Sequence, residues 1–302
     1  MSNETYLLKQ YGQAVQFLPP RLRSYAMNMS DEIKKRAREF RLREGTLLTV
    51  LTDECEVPVN SDAKVRHEEL ATIVDIATGG SVHSSSEQIK SGYLTVRGGH
   101  RIGLCGSGVY KNGEVSFIKN ISSVAIRIAK EFIGVSDGIY EQLTVNKGFE
   151  STIIISPPGC GKTTMLRDLI RNLSNGKYAY RVSVADERNE IAGKHRGVPQ
   201  FDLGQHTDVM EGMSKSYATM VMLRAMTPEI LAVDEITVKE DIAAIESAAN
   251  CGVALLATAH GAGVNSLFDR MLYKQLQNLG IFKRAVVLGI KNGNYTAKVE
   301  AL

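Results

Sequence analysis

The sequence feature that most constrains this chain is an apolar run followed by a glycine-rich turn and a helical pattern. Residues 153–155 are isoleucines, which favour a buried β-strand, and the turn after them leads into Lys162, Thr163 and Thr164. A strand, a glycine loop and a helix N-terminus in this order direct backbone N–H groups and the positive end of a helix dipole toward one point. The pattern therefore predicts a site for the phosphates of a nucleoside triphosphate.

The residues of this loop are expected to contribute differently to binding. Lys162 can reach the outer phosphates as a point charge, and the Thr163 hydroxyl suits a Mg²⁺ ion. Ser156 stands where the pattern G-x-x-x-x-G-K-[ST] has its first glycine, but the phosphate-wrapping Gly159 and Gly161 are present. A glycine-rich turn without a ligand is the alternative interpretation. The predicted nucleotide-binding residues are Ser156, Pro157, Pro158, Gly159, Cys160, Gly161, Lys162, Thr163 and Thr164.

Composition is that of a globular protein in a reducing compartment. A length of 302 residues is long for one core and comfortable for two domains. The net charge of +3 gives no global field that would favour nucleic acid or anionic lipid. The 4 cysteines form no C-x-x-C pair, so a disulfide framework or zinc site is not expected. There is no signal-peptide block and no apolar window near the ~20 residues that span a bilayer, so any membrane connection is expected through a partner.

The order of elements predicts an α/β protein of two domains. In residues 135–302, strand and helix patterns alternate, which favours a mainly parallel sheet covered by helices. Residues 1–134 combine helical patterns with hairpin signals and are expected to form a smaller α+β domain. We place the boundary after Gly134, because residues 134–138 contain two glycines and short polar residues.

Residues 34–43 form a basic stretch that we expect to continue a helix begun near Ser30. A solvated or subunit-facing surface is the favoured interpretation, and a patch for nucleic acid or acidic lipid is the alternative. Phe40 is the one aromatic residue within this stretch that could stack on a base. Binding of nucleic acid through this stretch is therefore not favoured.

Acidic residues follow two of the predicted strands of the second half. Asp186, Glu187 and Glu190 come after the apolar strand of residues 181–185, where they could position Mg²⁺ or water. A solvated loop is the alternative for these three carboxylates. Asp234 and Glu235 end the apolar run before them, and in a phosphate-loop enzyme the first acid holds the Mg²⁺ hydration shell. The second acid is then placed to polarise the attacking water.

A histidine ends a further apolar strand. Residues 253–259 are apolar apart from Thr258, and His260 follows them directly. A single histidine is usually structural, but this one emerges beside the two strand ends that carry acids. We expect His260 to sense the γ-phosphate and to pass the nucleotide state to neighbouring elements.

The order of these motifs resembles the secretion-type AAA+/RecA-like ATPases, which power type II and type IV secretion and pilus assembly. Within that superfamily the chain resembles the stage III sporulation protein AA family of endospore formers over nearly its whole length. In these terms Asp186, Glu187 and Glu190 match the acidic box, and His260 matches the histidine box. Ser156 and Thr237 depart from the expected glycines. The segments that carry the closer resemblance are residues 39–43, 101–103, 121–131, 203–209, 232–236 and 255–261.

The resemblance implies an ATPase in the mother-cell cytoplasm that drives or assembles a secretion-like channel into the forespore. It implies a hexameric ring, membrane channel proteins as partners, and no direct insertion into the membrane. It also implies that the N-terminal domain lends arginines to the nucleotide site. Arg101 and Arg127 match those positions, and Arg97 is a weaker candidate. An arginine there would neutralise charge on the γ-phosphate in the transition state.

Residues and resemblance together predict hydrolysis of ATP with Mg²⁺, which Thr163 and Asp234 would hold. A phosphotransferase using the same loop is one alternative, although the sequence shows no acceptor pocket or lid. A nucleotide-gated nucleic-acid-binding protein is another, motivated by residues 34–43, and salt-dependent binding to DNA or RNA would support it. The predicted catalytic residues are Glu235, Lys162, Glu187, Glu190, His260, Arg101 and Arg127.

Overall fold

A computed structural model describes residues 3–81, 86–111, 113–144, 148–291 and 294–302. The chain divides into two compact units, which are described separately. The first comprises Met1–Lys130 together with Gly193–Gln200, and the second comprises Glu131–Ala192 and Phe201–Leu302. The predicted boundary after Gly134 thus lies inside the second unit, and the return of residues 193–200 to the first unit was not predicted.

The first unit is an antiparallel sheet with helices, as expected for an α+β domain. Its sheet has the order β3-β2-β1-β6-β5-β4. Its core contains Tyr11, Phe40 and Ile126, none of which is more than 1% exposed. In chain order the elements are α1 (Asn3–Val15), α2 (Pro20–Met27), α3 (Asp31–Arg36), β1 (Glu39–Arg43), β2 (Thr49–Leu51), β3 (Glu56–Pro58), α4 (His67–Thr78), α5 (Ser86–Lys90), β4 (Tyr93–Thr95), β5 (Arg101–Lys111) and β6 (Glu114–Arg127).

The basic stretch of residues 34–43 is not one helix, so that prediction is wrong beyond Arg36. Strand β1 follows α3 because its side chains alternate: Phe40 and Leu42 are fully buried, and polar residues lie between them. Each basic side chain of the stretch has an acidic partner, which balances the charge of this surface. The pairs are Lys34–Asp31, Lys35–Glu4, Arg36–Glu54, Arg38–Asp53, Arg41–Glu39 and Arg43–Glu56.

The second unit contains the predicted, mainly parallel sheet. The strand order is β13-β12-β7-β11-β10-β8-β9, and the β12–β13 pair is antiparallel while the other neighbours are parallel. The elements are α6 (Asp137–Leu143), β7 (Thr152–Ser156), α7 (Lys162–Asn175), β8 (Val182–Asp186), β9 (Thr207–Glu211), α8 (Lys215–Ala225), β10 (Ile230–Glu235), α9 (Lys239–Asn250), β11 (Ala254–His260), α10 (Val264–Phe268), α11 (Met271–Leu279), β12 (Arg284–Lys291) and β13 (Asn294–Ala301).

This sheet is buried on both faces, which explains the uninterrupted apolar runs of its central strands. Ile153 and Ile155 pack in one core cluster, and Ile154 packs in the other. Strand β9 lies at the edge of the sheet. Its residues are mostly half-buried and include polar side chains, so its sequence does not read as an apolar run. Within the ranges given above, no helix is long and apolar enough to cross a membrane.

Residues near the start of the second unit are hydrogen-bonded to α7. The Asp168 carboxylate, 3% exposed, accepts the backbone N–H groups of Gly134 (3.1 Å) and Ser136 (2.8 Å). It also accepts the Ser136 hydroxyl at 2.8 Å, and the Arg171 guanidinium donates to it. These bonds tie the glycine-containing joint to the helix that begins at the phosphate loop.

A buried histidine gives the first unit a pH-dependent stability. His100 is fully buried, its Nδ1 accepts the Ala129 N–H at 3.0 Å, and burial lowers its pKa to about 4. Between this value and the unfolded pKa of about 6.5, the unfolded chain binds a proton that the folded chain does not, so stability falls as pH falls.

We expect the His100→Gln variant to lose this pH dependence, because its side chain accepts the same N–H but does not titrate. Between pH 7 and pH 4.5, urea unfolding should show an extra loss of about 2 kcal/mol in the wild type relative to this variant. His67→Gln is the control: His67 is exposed, and its hydrogen bond with Glu44 raises its pKa, so its loss should not lessen the fall of stability at acid pH. Parallel pH profiles for the wild type and His100→Gln would contradict the assignment.

Candidate functional site

Four neighbouring parallel strands bring the predicted site residues to one edge of the second sheet. Strands β7, β11, β10 and β8 are adjacent and point the same way, so their carboxyl ends lie together. His260 on β11 is directly opposite Ser156 on β7. On the other side of β11, Thr258 is paired with Glu235 of β10. The edge is therefore built from the strand ends that carried the sequence motifs.

The phosphate loop connects β7 to α7 and has the backbone that its glycines predict. Gly159 and Gly161 have φ values of +76° and +82°, in the left-handed region that favours glycine. Gly161 is the N-cap residue of α7, and Lys162, Thr163 and Thr164 form the first turn of that helix. Ser156 replaces the usual glycine without strain, because it ends β7 and its hydroxyl donates to the Pro157 carbonyl at 2.8 Å.

One imidazole connects the predicted phosphate-binding lysine to the predicted base. The Lys162 Nζ lies 2.7 Å from His260 Nδ1, and His260 Nε2 lies 3.1 Å from a Glu235 carboxylate oxygen. An ammonium group is only a donor, so Nδ1 accepts from Lys162 and the Nε2–H donates to Glu235. Burial lowers the pKa of Lys162, and the nearby Glu235 and Asp234 carboxylates oppose that shift. The three side chains form a hydrogen-bonded chain along the edge.

Asp234 has surroundings that suit a hard cation. Its Oδ1 accepts the hydroxyl of the fully buried Thr258 at 3.2 Å. Burial raises the pKa of Asp234, and the charge of Glu190 adds to this, while Thr258 and Lys215 act in the opposite direction. No group of three or more His, Cys, Asp or Glu side chains in the described ranges could hold a metal by itself. The Thr163 hydroxyl and the Asp234 carboxylate, which are the predicted ligands, are both oxygen donors. They fit Mg²⁺, which is commonly bound through one or two carboxylates plus substrate phosphates.

Asp186 shapes the turn that follows β8, and the expectation that it helps to handle a ligand stays a prediction. Its buried carboxylate accepts the consecutive backbone N–H groups of Glu190, Ile191 and Ala192 at 2.8 to 3.1 Å. Burial raises its pKa, and these backbone bonds oppose the shift. Glu187 lies on the exposed side of the same turn. Glu187 and Glu190 are the other two acidic residues of this turn.

Lys215 belongs to the site region and was missed by the sequence reasoning. Its Nζ lies 3.0 Å from a Glu187 oxygen and 3.8 Å from an Asp241 oxygen. One feature of the sequence could have indicated this role: Lys215 directly follows Ser214, the N-cap of α8. A lysine is unfavourable in the first turn of a helix, so its presence there pointed to nearby acids.

Arg101 and Arg127 lie in the first unit, on neighbouring strands. They are directly opposite each other in the β5–β6 register and thus share one face of that sheet. The Arg101 guanidinium lies 3.8 Å from the centre of the Tyr93 ring. Arg127 is exposed, with its Nε 3.9 Å from a Glu39 oxygen. Their contribution to the nucleotide site stays a prediction.

The fold is similar to that of ATPases of known structure. It is similar to the X-ray structure of the Legionella pneumophila ATPase DotB, with a TM-score of 0.57 and 16% identity, over 88% of this chain and 76% of that one. It is also similar to the pilus retraction motor PilT with bound ADP, with a TM-score of 0.61 and 18% identity, over 90% and 82%. At these identities the likeness shows the fold, and the predicted fold class is confirmed.

The chain belongs to the sporulation stage III protein AA family, whose model matches residues 9–299. It is 38% identical over 229 residues to stage III sporulation protein AA of Bacillus subtilis (strain 168), covering 75% of this chain and 74% of that protein. It is 34% identical over 169 residues to the uncharacterized protein ycf45 of Cyanidium caldarium, covering 53% and 49%. The resemblance seen in the sequence motifs is thereby confirmed.

Because Asp186 anchors a turn, Asp186→Asn should lower stability. The amide keeps one acceptor oxygen but turns an NH₂ group toward buried N–H donors, at an expected cost of about 1–3 kcal/mol in urea unfolding. Asp208→Asn is the matched control, because Asp208 is exposed on the edge strand β9. Equal stability of the two variants would contradict the anchoring role.

Proposed function

We propose that this protein hydrolyses ATP to power or assemble a secretion-like channel between mother cell and forespore during sporulation. The observation that carries this proposal is the hydrogen-bonded chain Lys162–His260–Glu235, which joins the phosphate loop to an acidic strand end. Membership of a sporulation protein family and the fold of secretion ATPases both support an ATPase-like role.

The phosphates would bind to the loop N–H groups and to Lys162. Since the Lys162 ammonium donates to His260 Nδ1, it has to turn away from the imidazole to reach a phosphate oxygen. His260 then keeps its hydrogen bond to Glu235 but loses the donor on its other side. Arrival of the phosphates and orientation of Glu235 are coupled through this one ring, which is the sensing role expected of His260.

Thr163 and Asp234 would hold the Mg²⁺ ion. When bound, the ion neutralises charge on the β- and γ-phosphate oxygens. The Thr258 hydroxyl donates to one oxygen of Asp234 and so restricts the orientation of this carboxylate. Hydrogen bonds to a metal-binding carboxylate orient it and thereby tune the affinity of the site for the ion.

Glu235 would orient the attacking water and accept its proton. The hydrogen bond from His260 Nε2 occupies one carboxylate oxygen and leaves the other for water. Glu187 and Glu190 lie at the adjacent strand end and would assist in placing the water or the ion. Arg101 or Arg127, from the first unit of the same or a neighbouring subunit, would neutralise transition-state charge.

The wider setting follows from the family resemblance. The protein would act as a hexameric ring in the mother-cell cytoplasm and would contact membrane channel proteins as partners. The free energy of hydrolysis would be used to move domains rather than to modify a small substrate. The arginines of the first unit are the groups through which a subunit would complete the site.

The Glu235→Gln variant should retain nucleotide binding and lose hydrolysis. We expect the turnover number to fall by at least about 100-fold, while the dissociation constant of a fluorescent ATP analogue changes by less than about threefold. Phosphate release is measured with Mg²⁺·ATP and no added acceptor, which also separates hydrolysis from phosphotransfer.

Two variants calibrate this experiment. Lys162→Ala should weaken nucleotide binding itself, because it removes the point charge on the outer phosphates. Glu240→Gln is the neutral control, since Glu240 is an exposed carboxylate in the first turn of α9. Wild-type turnover in Glu235→Gln would disprove the assignment of the base, and phosphate transfer only to an added acceptor would favour a phosphotransferase.

A further inference from the structure

Lys215 is an unusual residue for its position. It opens α8 immediately after the N-cap Ser214, where the helix dipole disfavours a positive charge. Its side chain is only 11% exposed, and lysine is almost never buried without a partner. Both the helix dipole and the burial of its charge disfavour lysine at this position. Its ammonium group is therefore expected to have a specific role here.

Of its two carboxylate partners, only one depends on Lys215 for its position. Asp241, which is buried, also accepts the backbone N–H groups of Thr237 (3.0 Å) and Val238 (3.2 Å) ahead of α9. Glu187 has a side chain that is 41% exposed, and Lys215 is its one ion-pair partner within the part of the chain that the structure describes. Removal of the ammonium group would therefore free Glu187 and leave Asp241 in place.

The backbone of Glu187 is already fixed by its neighbour. Asp186 ends β8 and holds the turn through the N–H groups of residues 190–192. β8 pairs with β10, which carries Asp234. With the backbone held, the side-chain rotamer of Glu187 is the remaining freedom, and the salt bridge at 3.0 Å selects it.

We propose that Lys215 is a positioning residue, which holds the Glu187 carboxylate at the end of β8, next to the strand that carries Asp234. It acts through Glu187 and has no contact with the nucleotide in this scheme. The consequence for turnover rests on the proposed function. The geometric part, that Glu187 takes its position from Lys215, does not.

A double-mutant cycle tests the consequence for turnover. We expect Lys215→Met to lower the turnover number by about 10- to 100-fold, as for a misplaced catalytic group, with the KM for ATP within about threefold of the wild type. Lys215→Arg, which keeps the charge, should recover most of the loss. Because Lys215 acts through Glu187, the Lys215→Met/Glu187→Gln double variant should be no slower than the slower single variant.

Arg284→Met is the matched control. It removes a comparable ion pair of the second unit, Arg284–Glu150 at 2.7 Å, and should leave turnover unchanged. Wild-type turnover in Lys215→Met, or losses that multiply in the double variant, would overturn the inference. Should Lys215→Met not fold, the same cycle is run with Lys215→Gln, which also removes the charge, and its loss should disappear in the Glu187→Gln background.

Crystal structures of the wild type and of Lys215→Met test the position of Glu187 independently of the proposed function. If the wild type releases no phosphate, the proposed function fails, but the position of Glu187 in Lys215→Met can still be determined. We expect its carboxylate to leave the place it occupies in the wild type while the Asp186 turn is preserved. A Glu187 side chain that stays in place without the ammonium group would overturn the inference.

Discussion

The arrangement of the site depends on the insertion of β11 between β7 and β10. This strand is placed there by its apolar residues, since Leu255, Leu256 and Ala257 are fully buried and contribute to both core clusters of the sheet. Its register sets His260 against the end of β7 and Thr258 against the end of β10. Because the strand is central, the imidazole lies between the phosphate loop and the acids, where it contacts Lys162 and Glu235 at once.

Helix α7 connects this site to the start of the second unit. Its first turn carries the residues predicted to bind phosphate and Mg²⁺, and Asp168 lies further along the same helix. There it holds Gly134 and Ser136, the residues through which the chain enters the second unit. Asp168 thus links the helix that begins at the phosphate loop to the segment that follows the first unit in the chain.

Buried apolar runs made much of the second unit predictable. The strands β7, β8, β10 and β11 are buried on both faces, so each reads as an apolar run that ends in a loop bearing polar groups. The phosphate loop was predictable because its glycines have positive φ values that other residues rarely adopt. Edge strand β9 has no such run, and its existence depends on pairing with β8.

The roles of the charged residues were harder to predict, because they depend on partners that are distant in the sequence. Asp186 and Glu187 are adjacent acids, yet one anchors backbone N–H groups and the other pairs with Lys215. For the basic residues 34–43 the sequence left a binding patch open as the alternative to a solvated surface, because several of their carboxylate partners lie on other elements, distant in the sequence. The alternation of Phe40 and Leu42 was a local signal for β1 that the basic residues obscured.

The most direct test of this account is a crystal structure with Mg²⁺ and a non-hydrolysable ATP analogue. We predict that the Lys162 Nζ leaves His260 and binds the outer phosphates, with Thr163 and Asp234 beside the ion and His260 still bonded to Glu235. A structure in which the analogue lies away from the loop, or in which Lys162 remains on His260 with the analogue bound, would contradict the account.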